Sequence, residues 1–519
     1  MQYSLAHQLG KRSGGLDPDA KAYIAAVETA GATVTSGQKK AINTFVKTGK
    51  SDGWYSSLKR MYLPIWASAA PNAVDMITRA SGTFSGTVTH SAGYVKGDGS
   101  TGYFAVDDTL HDIIGDTSLA SIIRLQLNNS GGINYSGAFV STNRLLLGNN
   151  GSGTTTTGTI GRNTIFATGG FSVGVLVAAR TSNTSLIVHG RDSSGFSSGT
   201  EVTTLNDLNI PNIAPYFAGG ANNNSSLFAS PAPAEEGAYG VGDALTTSQS
   251  EAFSLALKNL WETSTGLTLE GAEYISTIRA AGATVTATQE TAIHDFIRTG
   301  KSDGWWSSLK RLYLPIWASA APNAIDMIGL TSGTFNGTVT HSAGYVQGNG
   351  STGYFDTGDS ATTKGLTTSS GSMGALMYDS GLNADWLMGA ISSGLSRSGI
   401  FQSAIDVISH YNLSSTSSEA RTPSSGILLF SRDSGNRTFY ERDSTGFTTV
   451  GSTAGADAGT VSTHNDYLLG VNSGGTAVGF TPVQLGAAFW GLGLDATESE
   501  DFTLALKTLW ETSTGLTLP

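Results

Sequence analysis

From Ala20 onward, apolar residues recur at helical spacing: Tyr23, Ile24 and Val27 form one stripe, and Gly31 marks its stop. A second stripe, Ile42, Phe45 and Val46, predicts a helix that Thr35 or Ser36 caps and Gly49 ends. Asp52 then opens a short helical pattern through Trp54, Leu58 and Met61 or Tyr62, which Pro64 turns into an extended exit. Ala69 to Ala73 begins another, with Val74 and Ile77 facing inward. After Thr78 the pattern changes to alternation broken by glycine pairs, which predicts strands and tight turns as far as about Gly242. Readable strands are Ser118 to Leu125, Arg144 to Leu147, Gly174 to Ala179 and Ser185 to Val188, with turns in NNSGG, NNGSG and RDSSGF. A closing amphipathic helix, Ser250 to Trp261, turns Phe253, Leu257, Leu260 and Trp261 to one side.

The whole pattern then repeats. SDGWYSSLKRMYLPIW, Ser51 to Trp66, returns as SDGWWSSLKRLYLPIW, Ser302 to Trp317, and Trp305 follows Trp54 by the same 251 positions that separate His341 from His90. No gap is needed between about Ala22 and Phe104, and the closing helix returns as Ser499 to Trp510 at an offset of 249. Strands recur at Gly426 to Phe430 and Thr438 to Tyr440. A period this long predicts two globular domains rather than a solenoid.

The divisions are a tail at 1–18, helical subdomains at 19–78 and 270–329, and β sandwiches with closing helices at 79–269 and 330–519. The tail reads either as a frayed terminus or as a short anchor for a neighbouring subunit. Positions that differ only in apolar shape between copies, such as Val27/Ile278, Val46/Ile297, Met61/Leu312 and Val74/Ile325, are expected in cores. Lys39/Glu290, Lys40/Thr291, Asn43/His294 and Thr44/Asp295 exchange polarity and are expected to face solvent.

Composition narrows the partners. Only 13% of the 519 residues are charged and 67 are glycine, which suits turn-rich β structure with a neutral polar surface. A net charge of −11 without a basic block argues against nucleic acid. Cysteine is absent, so disulfides and thiolate metal sites are excluded. No apolar run reaches signal-peptide or membrane-span length, so neither classical secretion nor a membrane partner is expected, and release by cell lysis fits.

GYVKGDGSTGYF, Gly93 to Phe104, and GYVQGNGSTGYF, Gly344 to Phe355, resemble the opening strand and turn of laminin-G-like sandwiches of the concanavalin A type. VLVAARTSNTSLIVHGRDSSGF and YLLGVNSGG at Tyr467 resemble later strands of that fold, and the likeness covers about two thirds of each half. The longer stretch SDGWYSSLKRMYLPIWASAAPNAVDM, with a closing helix like FSLALKNLW, resembles tailed-phage virion proteins. That resemblance implies a mainly β fold with added helices: two tandem jelly-roll sandwiches, each with an N-terminal helical subdomain and a closing helix. It also implies a virion structural protein in a fibre, spike or capsid decoration position, homo-oligomeric, contacting other virion subunits and host or environmental glycans.

Chemistry is sparse. A polysaccharide-cleaving enzyme on this fold is the alternative, and it needs two carboxylates flanking a sugar bond. The Glu-x-Asp-x-x-Glu run of the retaining family is absent; Glu235 and Glu236 are adjacent, lie in a Pro/Ala-rich loop, would point to opposite strand faces and have no counterpart in the second copy. His90 and His341, in GTVTHSAGY, lack any G-x-S-x-G or H-E-x-x-H context and read as polar strand-end residues. Asp98 with Asp107 and Asp108 has the oxygen ligands of a calcium site, yet Asn349 stands in Asp98's place, which favours an Asx-stabilised turn. Trp54, Tyr55, Tyr62 and Trp66, with Trp305, Trp306, Tyr313 and Trp317, offer faces on which sugars stack, but at helical spacing they are expected to cement helices to sandwich. Trp386 has no evident counterpart and reads first as an ordinary core residue; if one sandwich binds a glycan, it is the candidate carbohydrate-stacking residue, on a loop. No catalytic residue, metal site or cofactor is assigned. The helical blocks are nearly identical while the sandwiches diverge, a contrast expected either from a shared mechanical role for the helices with different surfaces for the loops or from recent copying of only part of the unit.

Overall fold

The computed structural model describes residues 15–115, 119–128, 133–140, 143–150, 156–162, 167–169, 173–182, 184–203, 210–224, 226–229, 234–379, 385–393, 396–402, 406–411, 417–420, 425–433, 436–454 and 461–519. Residues 1–14 of the tail, Ser118 and most of the NNSGG and NNGSG turns lie outside that set. The chain divides into a unit ending at Glu273 and a unit running from Tyr274 to Pro519.

Local signals start the helices. α1 (Pro18–Thr29) is capped by Asp17, whose side chain accepts from the Asp19 N–H at 2.9 Å. α2 (Ser36–Ser51) opens on a capping box in which Thr35 and Gln38 exchange side-chain and backbone bonds. Two short helices, α3 (Ala69–Asn72) and α4 (Leu110–Ile114), precede the long closing helix α5 (Thr247–Thr265). The second copy repeats the order, without a described counterpart of α4, in α6 (Leu269–Ala280), which spans the division at Glu273, then α7 (Ala287–Asp303), α8 (Ala320–Asn323) and α9 (Ala496–Thr514). The capping-box glutamine also ties the layer together: Gln38 Nε2 donates to the Ser264 carbonyl, and Gln289 Nε2 to that of Ser513, both at 3.1 Å. Among the described residues no helix is long and apolar enough to cross a membrane.

Three sequence expectations change here. Gly49 does not end α2, which runs to Ser51 with Asp52 as its C-cap. Asp52 therefore closes a helix rather than opening one, and the next stretch is a 3-10 turn, Tyr55–Ser57, followed by a strand, Leu58–Tyr62. Tertiary pairing decides the outcome: that strand lies antiparallel on Glu236–Asp243, with Met61 opposite Gly240 and Tyr62 opposite Tyr239. The sheet satisfies its backbone groups, which a lone helical turn leaves half unpaired. Finally, His294 is buried rather than solvent-facing. Its position lies beside the chain's entry into the helical layer, where the first copy's Asn43 accepts the Asp17 N–H at 2.6 Å.

Each unit is a concanavalin A-like jelly roll. In the first, an eight-stranded sheet runs Gly195–Ser198, Ser185–Asp192, Gly174–Ser182, Ala120–Gln126, Glu236–Asp243, Tyr94–Gly97, Val88–Ser91, with Leu58–Tyr62 beside Glu236–Asp243. A nine-stranded sheet faces it, built around Asn143–Asn150, Ile133–Val140, Tyr216–Phe217 and Tyr103–Ala105. The second unit repeats both sheets around Gly371–Asp379 with Gln484–Gly491, and around Asp385–Ser393 with Asn465–Leu468.

Alternation along the eight-stranded sheet feeds two cores. Ile122, Leu176, Ala178, Tyr239 and Val241 point at the nine-stranded sheet and meet Phe104, Leu145 and Phe217. Ile123, Leu125, Val175, Val177 and Ala238 point the other way and meet Phe45, Trp54, Phe253, Leu257 and Trp261 of the helical layer. The second unit divides its residues in the same manner. The indole of Trp261 also donates to the Gly93 carbonyl at 2.8 Å, and Trp510 to that of Gly344 at 2.8 Å, pinning each closing helix to its sandwich. The helical layer therefore packs on the outer face of the eight-stranded sheet. Among the described residues, no helix lies on the outer face of the nine-stranded sheet.

Candidate functional site

Most sequence candidates have structural duties. Glu235 sits 3.4 Å from Lys96 Nζ. Glu236 begins a strand rather than lying in a loop, and it is buried: Arg124 pairs with it at 3.0 Å, Ser136 Oγ donates to it at 2.8 Å, and the Ala218 N–H at 3.1 Å. It thus braces the two sheets through a buried, hydrogen-bonded ion pair. The second unit places Ala375 and Leu485 where the first has Arg124 and Glu236, and carries its own buried pair, Lys364 with Asp466 at 2.9 Å, to which Ser398 Oγ donates. Sequence reasoning missed both pairs, because no local pattern links residues about 100 positions apart.

His90 lies edge-on to Phe84, 4.5 Å between ring centroids, with its Nδ1 3.3 Å from the Asn72 amide; His341 repeats this with Phe335 and Asn323. Burial lowers the pKa of both rings. Asp98 accepts three backbone N–H bonds, from Ser100, Thr101 and Gly102, and Asn349 makes the same three to Ser351, Thr352 and Gly353. Both are Asx turns. Asp107 and Asp108 turn elsewhere, to Thr83 Oγ1 and the Arg60 guanidinium. Among the described residues no three His, Asp or Glu side chains converge as metal ligands do.

Of the recurring aromatics, Trp54, Tyr55 and Trp66 are buried between helices and sheet. Tyr62 instead enters the sandwich interior, 4.7 Å from Phe104 and 5.5 Å from Tyr239, because its strand aims it inward. Trp305, Tyr313 and Trp317 follow suit, and Trp306 is half-buried against Phe296.

Trp386 is not on a loop but on the strand Asp385–Ser393 of the second unit's nine-stranded sheet. Its strand neighbours Leu387 and Met388 are in the core, and a bulge between Trp386 and Met388 turns the indole to the uncovered face. There it meets Phe401 edge-on at 5.4 Å, while Gly479 fits closely beneath it, since a Cβ at Gly479 would stand 2.6 Å from the ring. Two strands away Tyr354 packs on Tyr467 at 4.7 Å and on Phe480 at 6.1 Å. Tyr354, Tyr467, Trp386 and Phe401 come from four successive strands of one sheet face. With neighbouring strands about 4.8 Å apart, the row is on the order of 15 Å long. At its edge Asn465 Nδ2 donates to Asp356 at 3.2 Å. The corresponding face of the first unit has a stacked pair, Tyr103 and Tyr216, at 4.3 Å. Apart from Trp386, no residue of this row stands out in the sequence; alternation about the core residues Phe355, Ile400 and Leu468 is the signal that places them outward.

No family model matches the chain, and no curated protein matches it in sequence. Among solved structures it is similar to domain 4 of AbnA, a GH43 extracellular arabinanase from Geobacillus stearothermophilus, in complex with arabinotriose: 14% identity over 38% of this chain and 98% of that one, TM-score 0.29. The Ruminococcus gnavus IT-sialidase CBM40 bound to α2,3 sialyllactose matches at 12% identity over 26% and 82%, TM-score 0.22. Trypanosoma rangeli sialidase in complex with sialic acid matches at 12% over 81% and 61%, TM-score 0.32. Likenesses this remote carry no argument about binding or activity, which must come from the chain's own residues.

Proposed function

We propose that this chain is a non-enzymatic structural protein of a tailed-phage particle, whose second sandwich binds a host or environmental glycan on the aromatic face of its nine-stranded sheet. The observation that carries the binding half is the row of half-buried Tyr354, Trp386 and Phe401, with the buried Tyr467 packed on Tyr354, on a face that none of the described helices covers. Aromatic faces with a few polar groups at their edge suit the alternating C–H and hydroxyl faces of sugar rings, and Asp356 with Asn465 supplies such an edge. The particle half rests on the resemblance of the duplicated helical stretch and closing helix to virion proteins. The cleaving alternative loses support from Glu236, whose carboxylate is taken up by Arg124, Ser136 and Ala218 inside the sandwich.

Screening the purified chain on a glycan array tests the binding half, with chromatography of the same glycans for released sugar. Retention without product supports the reading, whereas product release or a blank array overturns it. Mass spectrometry of purified particles tests the other half.

A further inference from the structure

We propose that two copies of this chain pair through the α2/α5 face of the first unit, each inserting Leu255 into the groove of the other. The groove, of about 410 Å³, runs between α2 and α5 over a floor of Ala41, Phe45, Ala256 and Leu260. Leu255 lies on its rim and is 46% exposed beside the apolar floor, whereas the other leucines of the helix, Leu257 and Leu260, are buried. The small residues Ala41, Thr44 and Thr48 let another helix approach closely, as ridge-into-groove packing requires.

The second unit has the same groove, about 480 Å³ between α7 and α9, with Leu504 at 49% exposure. The floors are alike, Ala292, Phe296, Ala505 and Leu509 standing for Ala41, Phe45, Ala256 and Leu260. The rims differ. Lys40 and Asp52 stand at opposite ends of the first groove, about 18 Å apart along α2 at 1.5 Å per residue. A two-fold axis through that groove sets the Lys40 of each copy against the Asp52 of the other, so the surface is its own complement. The second groove has Thr291 in place of Lys40 and is lined by Asp303, Asp501 and Asp295, the last paired with Arg298 at 2.6 Å, so the same two-fold contact there sets Thr291 rather than a lysine against Asp303. The occupant of the first groove is therefore a second copy in antiparallel register. The apolar contact supplies the affinity, and the exposed charges set orientation.

Sedimentation velocity on the full chain across a concentration series tests this, with helix content and melting checked for every variant. Wild type is expected to show a concentration-dependent dimer. Leu255→Glu weakens it by about tenfold or more, the effect expected of a central apolar anchor. Leu504→Glu, the same change at the second groove, leaves it within roughly twofold, since it removes no contact of the pair. Lys40→Glu weakens the dimer and adding Asp52→Lys to it restores the dimer. A chain that stays monomeric throughout, a dimer indifferent to Leu255→Glu, equal loss from Leu504→Glu, or a charge swap that fails to restore pairing each overturns the proposal.

Discussion

Gly49 lies against the face of Trp54 so closely that a Cβ at Gly49 would stand 2.5 Å from the indole ring, and Gly300 meets Trp305 at the same 2.5 Å. Trp54 is fully buried, with Phe45 at 4.9 Å and Phe253 edge-on at 5.2 Å, so the ring has nowhere to retreat. Replacing a glycine inside a helix by alanine ordinarily stabilises by about 1 kcal/mol. Here overpacking wins, and Gly49→Ala is expected to lower stability by roughly 1–3 kcal/mol. Denaturant melts followed by tryptophan fluorescence check this; a stabilised variant would show that the glycine is not there for the indole.

The Arg124–Glu236 pair makes a second prediction. Glu236→Leu takes its carboxylate partner away from a buried guanidinium and is expected to cost about 3–5 kcal/mol. Adding Arg124→Met recovers most of that loss, because a well-packed apolar pair can replace a buried ion pair and the second unit already has Ala375 and Leu485 at these places. A double-mutant cycle by chemical denaturation measures the coupling, and additive losses would refute it.

Stability should depend on pH through His294. Burial, and then the charge of Arg298, push its pKa down to about 4, below an unfolded value near 6.5. The unfolded chain therefore binds the extra proton first as pH falls, and His294's contribution is lost between about 6.5 and 4, up to about 3 kcal/mol. Glu273 acts in the opposite sense: burial raises it to about 7 although Ser193 donates to its charged form, so its contribution is lost as pH rises. The informative quantity is the difference between wild type and His294→Asn, the first copy's residue. That difference should shrink in favour of the variant as pH falls from 6.5, and a flat difference contradicts the assignment.

Glycan binding should depend on Trp386. Trp386→Ala is expected to cost about 2 kcal/mol, roughly thirtyfold in affinity, the loss typical of a central aromatic anchor. Tyr103→Ala, on the corresponding face of the first unit, is expected to leave affinity unchanged. Titration calorimetry with a glycan from the array separates the two, and equal losses would place the binding face elsewhere.

Much of the fold was legible in the chain. Tyr23, Ile24, Val27, Ile42, Phe45 and Val46 are buried as their stripes predict, and Phe253, Leu257, Leu260 and Trp261 likewise. The strand expected at Gly174 to Ala179 runs Gly174–Ser182, and that at Gly426 to Phe430 runs Gly426–Asp433. These readings succeed because burial of one face imposes a period on neighbouring residues. The helical reading of Leu58 to Tyr62 fails for the complementary reason, since a short run with Leu58, Met61 and Tyr62 buried satisfies either period until a partner strand is known.

What the sequence determined by itself is the duplication, which comparison of the two copies shows without any contact, and the helix start at Thr35 and the apolar faces, which depend on residues within a turn or two of each other; the closing helices start earlier than the sequence placed them, at the caps Thr246 and Asp495 rather than at Ser250 and Ser499. Only the tertiary structure decided that Gly49 is a seat for an indole, that Arg124 and Glu236 neutralise each other in a core, and that Trp386 joins Tyr354, Tyr467 and Phe401 on the outward side of one sheet. Those relations join residues tens to hundreds of positions apart, and sheet register alone brings them within contact.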